Sequence, residues 1–277
     1  MIEVKRVHES APGMASTSEE RPVAGGVVRR LIWPTLLAAL VFAALVSLGV
    51  WQLERLAWKE ALIAAVAARS DAPPVAPPGP AQWTGLDFGG VDYLHVRVPG
   101  RFLAGEAHIF TDLPSPRGPL GGLGYWVVAP FETADGWIVL VNRGFVPEAR
   151  KDPASRSAIP AGDVMLDGVI RGPEHANMFT PAAEPAKNMW FVRDPATLGP
   201  ALGVSADRLA PYTIDATASM TPADGLPQAG ETRRIFPNNH LAYAMTWFGL
   251  AIALVGVYGA FAWSVVRGGN ARPPRPR

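Results

Sequence analysis

Five histidines and no cysteine narrow the metal and redox chemistry open to this 277-residue chain. Without thiols there are no disulfides, thiolate zinc sites, iron–sulfur clusters, covalent c-type haem attachments or cysteine nucleophiles, so any metal or cofactor must be held by His, Met, Tyr or carboxylates. His8 falls in a polar N-terminal stretch, His95 and His108 fall on expected strands, and His175 sits in a loop beside Asn177 and Met178. Histidines in such settings are ordinarily inert. His240 differs, because it follows Asn238 and Asn239 at the head of residues 237–266, a run with no charge between it and Arg267. Either asparagine can cap a helix starting there, and the positive end of a helix dipole is a poor place for a further cation. Neutral imidazole is the metal-binding form. Tyr243, Ala244, Trp247, Phe248 and Ala251 lie beneath it on one side of the helix. That stripe suits a large apolar ring or a neighbouring helix, and a lone interfacial histidine also suits a cap or a headgroup contact.

Other chemistry is not advertised. No Gly-rich phosphate loop follows a strand, and no G-x-S-x-G, H-E-x-x-H or paired-histidine spacing occurs. Gly118, Gly121, Gly122 and Gly124, with Pro116 and Pro119, read as a flexible surface turn. The expectation is a protein that is not an enzyme. A membrane-anchored periplasmic enzyme is the weakest rival, since no nucleophile, base and orienter stand at catalytic spacing.

The elements that must position His240 follow from composition. At 49% hydrophobic and 18% charged, the chain holds about one ordinary domain plus apolar segments that need lipid. Its net charge of +1 points to no nucleic-acid partner. Residues 1–28 are polar and read as a disordered cytoplasmic tail. Glu3, Glu9, Glu19 and Glu20 argue against a mitochondrial presequence and favour a bacterial inner membrane. Residues 31–50 form a first span, preceded by Arg29 and Arg30, with Pro34 in its first turn. It is longer than the core of a cleaved signal peptide, which favours a retained anchor. Residues 241–266 form the second span, followed by a cytoplasmic tail over 267–277. Ala39, Ala43 and Ser47 on one span, and Gly249, Ala253, Gly256 and Ala260 on the other, offer small-residue faces for close packing.

The helical pattern of the first span continues to about residue 69, with Trp51, Arg55 and Trp58 on one face. That face reads either as a headgroup anchor or as a surface for an anionic planar ligand such as haem. Residues 71–80 form a Pro-rich linker. Residues 81–235 read as short strands at 94–102, 106–112, 124–132, 137–145, 163–171, 189–193 and 212–215, with a hairpin at Asp135-Gly136 and a short helix over 196–202 capped by Asp194. Residues 137–141, apolar on both faces, suit a central strand. The expected fold class is α+β: two transmembrane helices flanking a mostly antiparallel, barrel-like β domain. Arginines at both ends place the termini in the cytoplasm and the β domain in the periplasm, a multi-pass arrangement.

Residues 48–59 (LGVWQLERLAWK), 124–132 (GYWVVAPFE), 139–147 (VLVNRGFVP), 211–216 (PYTIDA) and 238–249 (NNHLAYAMTWFG) together resemble the surfeit-locus family of cytochrome c oxidase assembly factors. The resemblance implies an integral membrane protein of the respiratory chain that binds haem a and helps insert it into subunit I, with haem a synthase as a further partner. It implies His240 as the axial iron ligand, while Trp51, Arg55, Trp58, Tyr243 and Trp247 are candidate haem contacts from the two faces described above, without a role assigned by the resemblance. Gln52, Asn142, Arg143 and Gly144 also fall on family motifs. Arg143 is a candidate partner for a haem propionate, and Asn142-Arg143-Gly144 reads equally as a turn closing a strand. A scaffold that stabilises an oxidase subunit without touching haem is the alternative role.

Overall fold

The structure, a computed structural model, describes residues 24–232 and 236–269. The tail up to residue 23, with His8, lies outside the described residues, as do Arg233, Arg234 and the tail after Gly269. The described chain forms two compact units, one of residues up to Ala57 with those from Asn238 on, the other Trp58–Pro237.

The first unit is built from two apolar helices. α1, Ala24–Asp71, is a single 48-residue helix whose last turns belong to the second unit. Helix therefore begins where a disordered tail was expected, and Arg29 and Arg30 lie inside it. Pro34 accordingly sits well within the helix and not in its first turn. Proline removes one backbone donor there, and Thr35 Oγ1 adds a bond by donating to the Leu31 carbonyl at 2.7 Å. α4, His240–Gly269, has 30 residues, about 45 Å at roughly 1.5 Å per residue. Both helices are long and apolar enough to cross a membrane.

The second unit is a sheet of six strands: β1 His95–Phe102, β2 Ala107–Leu113, β3 Gly122–Thr133, β4 Ile138–Pro147, β5 Asp163–Arg171 and β6 Leu209–Ala216. Their order is β1-β5-β6-β4-β3-β2. β4 and β6 run parallel and the other neighbours antiparallel, so the sheet is mixed and mostly antiparallel as expected, while the expected barrel-like closure is limited to one short contact between β1 and β3. Parallel neighbours need a long crossover, and the chain between β4 and β6 supplies one containing β5 and α3, Pro195–Ala201. The last three residues of β1 also pair with β3, from Gly100 opposite Thr133 to Phe102 opposite Phe131. That contact curls the sheet and leaves β2 outside it as an edge. Residues 189–193 make only isolated bridges, Trp190 with Ile109 and Met189 with Glu184, in place of the expected strand.

Burial explains why these segments are strands. β4 is central, and Val139, Leu140 and Val141 are fully buried on both faces. β3 alternates less than its sequence suggests, because Val127, Val128 and Phe131 enter three different apolar clusters. Asp135-Gly136 makes the expected tight turn, with Gly136 at φ 84°. Asp194 caps α3 by accepting from Ala196 N at 3.2 Å. The Pro-rich segment is extended and docked: Val75 bridges β1, and the Pro78 carbonyl accepts from Tyr212 Oη at 2.6 Å and Trp83 Nε1 at 2.9 Å. A short helix, α2, covers Phe88–Val91 beside it in sequence, capped by Asp87.

Candidate functional site

Within the first unit, α1 and α4 meet at a few well-defined points. Gly49 faces Phe248 so closely that a Cβ on Gly49 would lie 2.5 Å from the ring. Ala244 and Ala251 are buried on the same side of α4, and the Thr35 and Tyr258 hydroxyls bond to each other further along the pair. The helices pack, therefore, but not through the expected faces. Ala39, Ala43, Ser47, Gly249, Ala253, Gly256 and Ala260 are all exposed. The aromatic stripe is divided in the same way. Ala244, Phe248 and Ala251 serve the packing with α1, while Tyr243 stays 55% exposed and Trp247 is half-buried.

At the head of α4 this packing brings two polar side chains together. His240 Nδ1 lies 2.7 Å from Gln52 Oε1. Gln52 is 9% exposed, on a face of α1 otherwise given to the partner helix. An amide oxygen only accepts, so Nδ1 is the donor in this bond, and in the neutral ring that tautomer leaves the lone pair on Nε2. No described residue bonds to Nε2. A half-buried imidazole with Nδ1 committed to Gln52 and Nε2 unbonded among the described residues suits one axial position on an iron, and the residues present fit that group. The asparagine cap is not made by Asn238, whose buried Oδ1 has no hydrogen-bond partner among the described residues; the Asn239 carbonyl accepts from Tyr243 N at 3.2 Å. Trp51 and Arg55 flank Gln52 in sequence with exposed side chains. The Trp247 indole Nε1 is buried without a hydrogen-bond partner among the described residues.

Trp58 and Arg143 fall in the second unit. Trp58 is 52% exposed. Arg143 is the extra residue of a bulge in β4: Val127 pairs with Gly144 and Val128 with Asn142. The motif is thus an interruption inside a strand that continues to Pro147, not the turn expected at a strand's end. Gly144 has φ 136°, and a Cβ there would meet the Gln228 carbonyl at 2.3 Å, so glycine is required by conformation and by space. Arg143 is 5% exposed, donates to the Ala158 carbonyl at 3.2 Å and lies 4.0 Å from Glu106. Burial lowers its pKa from the ordinary guanidinium value. Glu106 is the centre of this cluster. His108 Nε2 lies 2.8 Å from it, and Arg156 forks across both of its oxygens.

A second buried cluster joins two family motifs. Asp215 on β6 accepts from Arg193 Nη1 at 2.6 Å, Asn142 Nδ2 at 3.1 Å and Thr232 Oγ1 at 2.7 Å. Burial would lower the Arg193 pKa, and Asp215 and Glu174 outweigh it and raise it. The remaining histidines divide by setting: the His95 ring is held between the Ala72 carbonyl and Asp167, each at 2.9 Å, and His175 is exposed. The Gly-rich loop is fixed where a flexible turn was expected. Its Arg117 and Gly118 amides donate to buried Glu231 at 2.8 and 2.6 Å, and the Leu120 amide donates to Gln228.

Sequence reasoning missed the partner of His240: Gln52 was a motif position without a role. Its one signal was a polar residue among Gly49, Trp51 and Leu53 on an otherwise apolar stretch. Glu106, Arg156 and Arg193 were not singled out, because their partners lie far away in the chain.

Residues 39–252 match the model described as the SURF1 family. A SURF1-like protein of Monosiga brevicollis is 36% identical over 246 residues, covering 83% of this chain and 88% of the relative. Surfeit locus protein 1 of Homo sapiens is 35% identical over 221 residues, covering 75% and 70%. The protein of that name in Xenopus tropicalis is 32% identical over 230 residues, covering 78% and 72%.

Proposed function

This chain belongs to the SURF1 family, and on that premise we propose that it is a membrane-anchored assembly factor for haem–copper cytochrome c oxidase. It holds haem a through His240 Nε2 and passes it to subunit I, with no covalent step of its own. One observation carries the haem reading: the 2.7 Å bond from His240 to Gln52, which fixes the tautomer and leaves Nε2 as the open donor. A carrier needs one sound ligand and a second axial position left to exchange, because tight double ligation opposes release. Trp51, Tyr243 and Trp247 supply apolar surface near that ligand in sequence, and Arg55 supplies a cation for a propionate. Arg143 is drawn on by Glu106 and the Ala158 carbonyl, so its part is first to hold the bulge in β4.

The lipid anchorage in this reading rests on the outward faces of α1 and α4. Trp33, Leu40, Ile252 and Val257 are 69–77% exposed, an arrangement favourable in hydrocarbon and costly in water. Both termini on the cytoplasmic side of a bacterial inner membrane, with the β unit in the periplasm, is the matching topology.

The exposed small-residue faces of both helices favour a second reading, a scaffold that docks on oxidase or haem a synthase helices without touching haem. Purification of the detergent-solubilised protein from a haem-a-producing host separates the two. Haem a bound in near-stoichiometric amount supports the carrier, and protein that is colourless from such a host refutes it.

A further inference from the structure

Beyond the helix pair, the second unit contains an apolar cleft that the haem reading leaves unused. Its volume is about 490 Å³, and its walls come from the last turns of α1 (Leu62, Val66), from Phe88 on α2, and from Tyr93, Pro173 and Phe236. Leu62, Val66 and Arg69 recur at i, i+4 and i+7, so one stripe of α1 forms a wall. Phe236 packs edge-on against Tyr93, with ring centroids 6.0 Å apart.

The rim of the cleft is cationic. Arg69 is fixed there by bonds from Nη1 to the Gly89 and Gly90 carbonyls at 2.5 and 2.6 Å. Lys59 Nζ stands 5.4 Å from the centre of the Phe236 ring, and exposed His175 lines the mouth. The one acidic side chain among the described lining residues, Asp92, is already paired. It lies 3.1 Å from Arg171 Nε and accepts from Gly172 N. An apolar interior with a positive rim is complementary to an anionic amphiphile.

Two further features identify its source as membrane lipid. The wall is the same continuous helix that carries the apolar run 31–50. Three residues after His175, an ordered turn presents Met178 and Phe179 at 89% and 84% exposure. Asn177 fixes that turn, accepting from Phe179 N and donating its own N–H to Thr180 Oγ1, both at 2.9 Å. Two large apolar side chains held outward on a rigid turn suit the apolar boundary of a bilayer.

We propose that this cleft binds an anionic phospholipid, taking an acyl chain between Leu62, Val66 and Phe236 and the phosphate at Arg69. The inference uses the membrane anchorage proposed above but not the haem ligation. The test is native mass spectrometry of the full-length protein in mild detergent, titrated with phosphatidylglycerol or phosphatidylcholine. Phosphatidylglycerol should be retained at several-fold lower concentration than phosphatidylcholine. Leu62→Trp, which fills the cleft, should lower that retention several-fold, and Arg69→Gln should abolish the preference. His240→Ala should change neither, which separates failure here from failure of the haem reading. A phosphatidylglycerol with a photoreactive acyl chain tests the wild type without any variant, and its adducts should fall on residues 62–69, 88–93 and 172–175. Equal retention of the two lipids, undiminished binding by Leu62→Trp, or adducts confined to residues 31–50 and 241–266 would overturn the proposal.

Discussion

His240 on α4 and Gln52 on α1, 188 positions apart in the chain, are joined by a 2.7 Å bond from imidazole Nδ1 to the amide oxygen. That bond does for the histidine what a carboxylate or carbonyl does for a metal-bound imidazole elsewhere: it sets the tautomer, orients the ring and raises the basicity of the free nitrogen. Gln52→Leu removes the acceptor at similar size. Haem affinity should fall by about 10- to 100-fold, read as a shift in haem titration, with Gln52→Glu restoring most of it. Equal affinity in Gln52→Leu and wild type would show that the bond plays no part in ligation.

The register that makes this bond depends on Gly49. Its α-carbon approaches the Phe248 ring so closely that even alanine forces the ring to move. Gly49→Ala should therefore weaken haem retention without touching a haem contact, and Phe248→Leu in the same chain should recover part of the loss. Additive losses in that double-mutant cycle would mean the two residues are not coupled.

Acid stability should report on Glu106. Its pKa stands at about 2, below the ordinary 4.5: burial alone would raise it, and bonds from His108 and Arg156 outweigh burial. A carboxyl depressed in the folded state stabilises fully above its unfolded value and loses that contribution as pH falls from about 4.5 toward 2. The contribution at neutral pH is on the order of 3 kcal/mol. Glu106→Gln should lower thermal stability at neutral pH and flatten the acid limb of the curve, followed by near-ultraviolet circular dichroism. An acid limb unchanged in the variant would assign the titration to another group.

Removing Asp215 should be the costlier change. Asp215→Ala leaves buried Arg193 with Glu174 as its remaining partner and Asn142 Nδ2 without its acceptor, and should destabilise the β unit by about 3 kcal/mol, the low end for breaking a buried pair, measured by chemical denaturation. The isosteric Asp215→Asn should cost less. A loss under about 1 kcal/mol, as for exposed ion pairs, would contradict the description of this cluster as a buried anchor.

The parts of this architecture that were legible in sequence are those set by local pattern. Uncharged apolar runs mark α1 and α4, the doubly apolar stretch at Trp137–Val141 marks the central strand, and Asp135-Gly136 marks the turn beside it. Long-range pairing was not legible. The parallel neighbours β4 and β6, the bulge that places Arg143 opposite no single residue, and the apposition of Gln52 and His240 all depend on which distant segments meet. Composition also misled where a short signal has two uses. The small residues of both helices suggested a packing face, yet Gly49 and two buried alanines serve that purpose and the others face outward. Gly118, Gly121, Gly122 and Gly124 suggested a flexible turn, yet Gly122 and Gly124 belong to β3 and Glu231 and Gln228 hold the loop before it through its amides.

The central claim is that His240 Nε2 binds the iron of haem a. Absorption spectra of wild type and His240→Ala, purified side by side from a haem-a-producing host, test it most directly. The account predicts a haem a spectrum in the wild type that is lost or strongly reduced in the variant, with both proteins equally folded by circular dichroism. A wild type without haem, or a His240→Ala variant that retains the full spectrum, would contradict it.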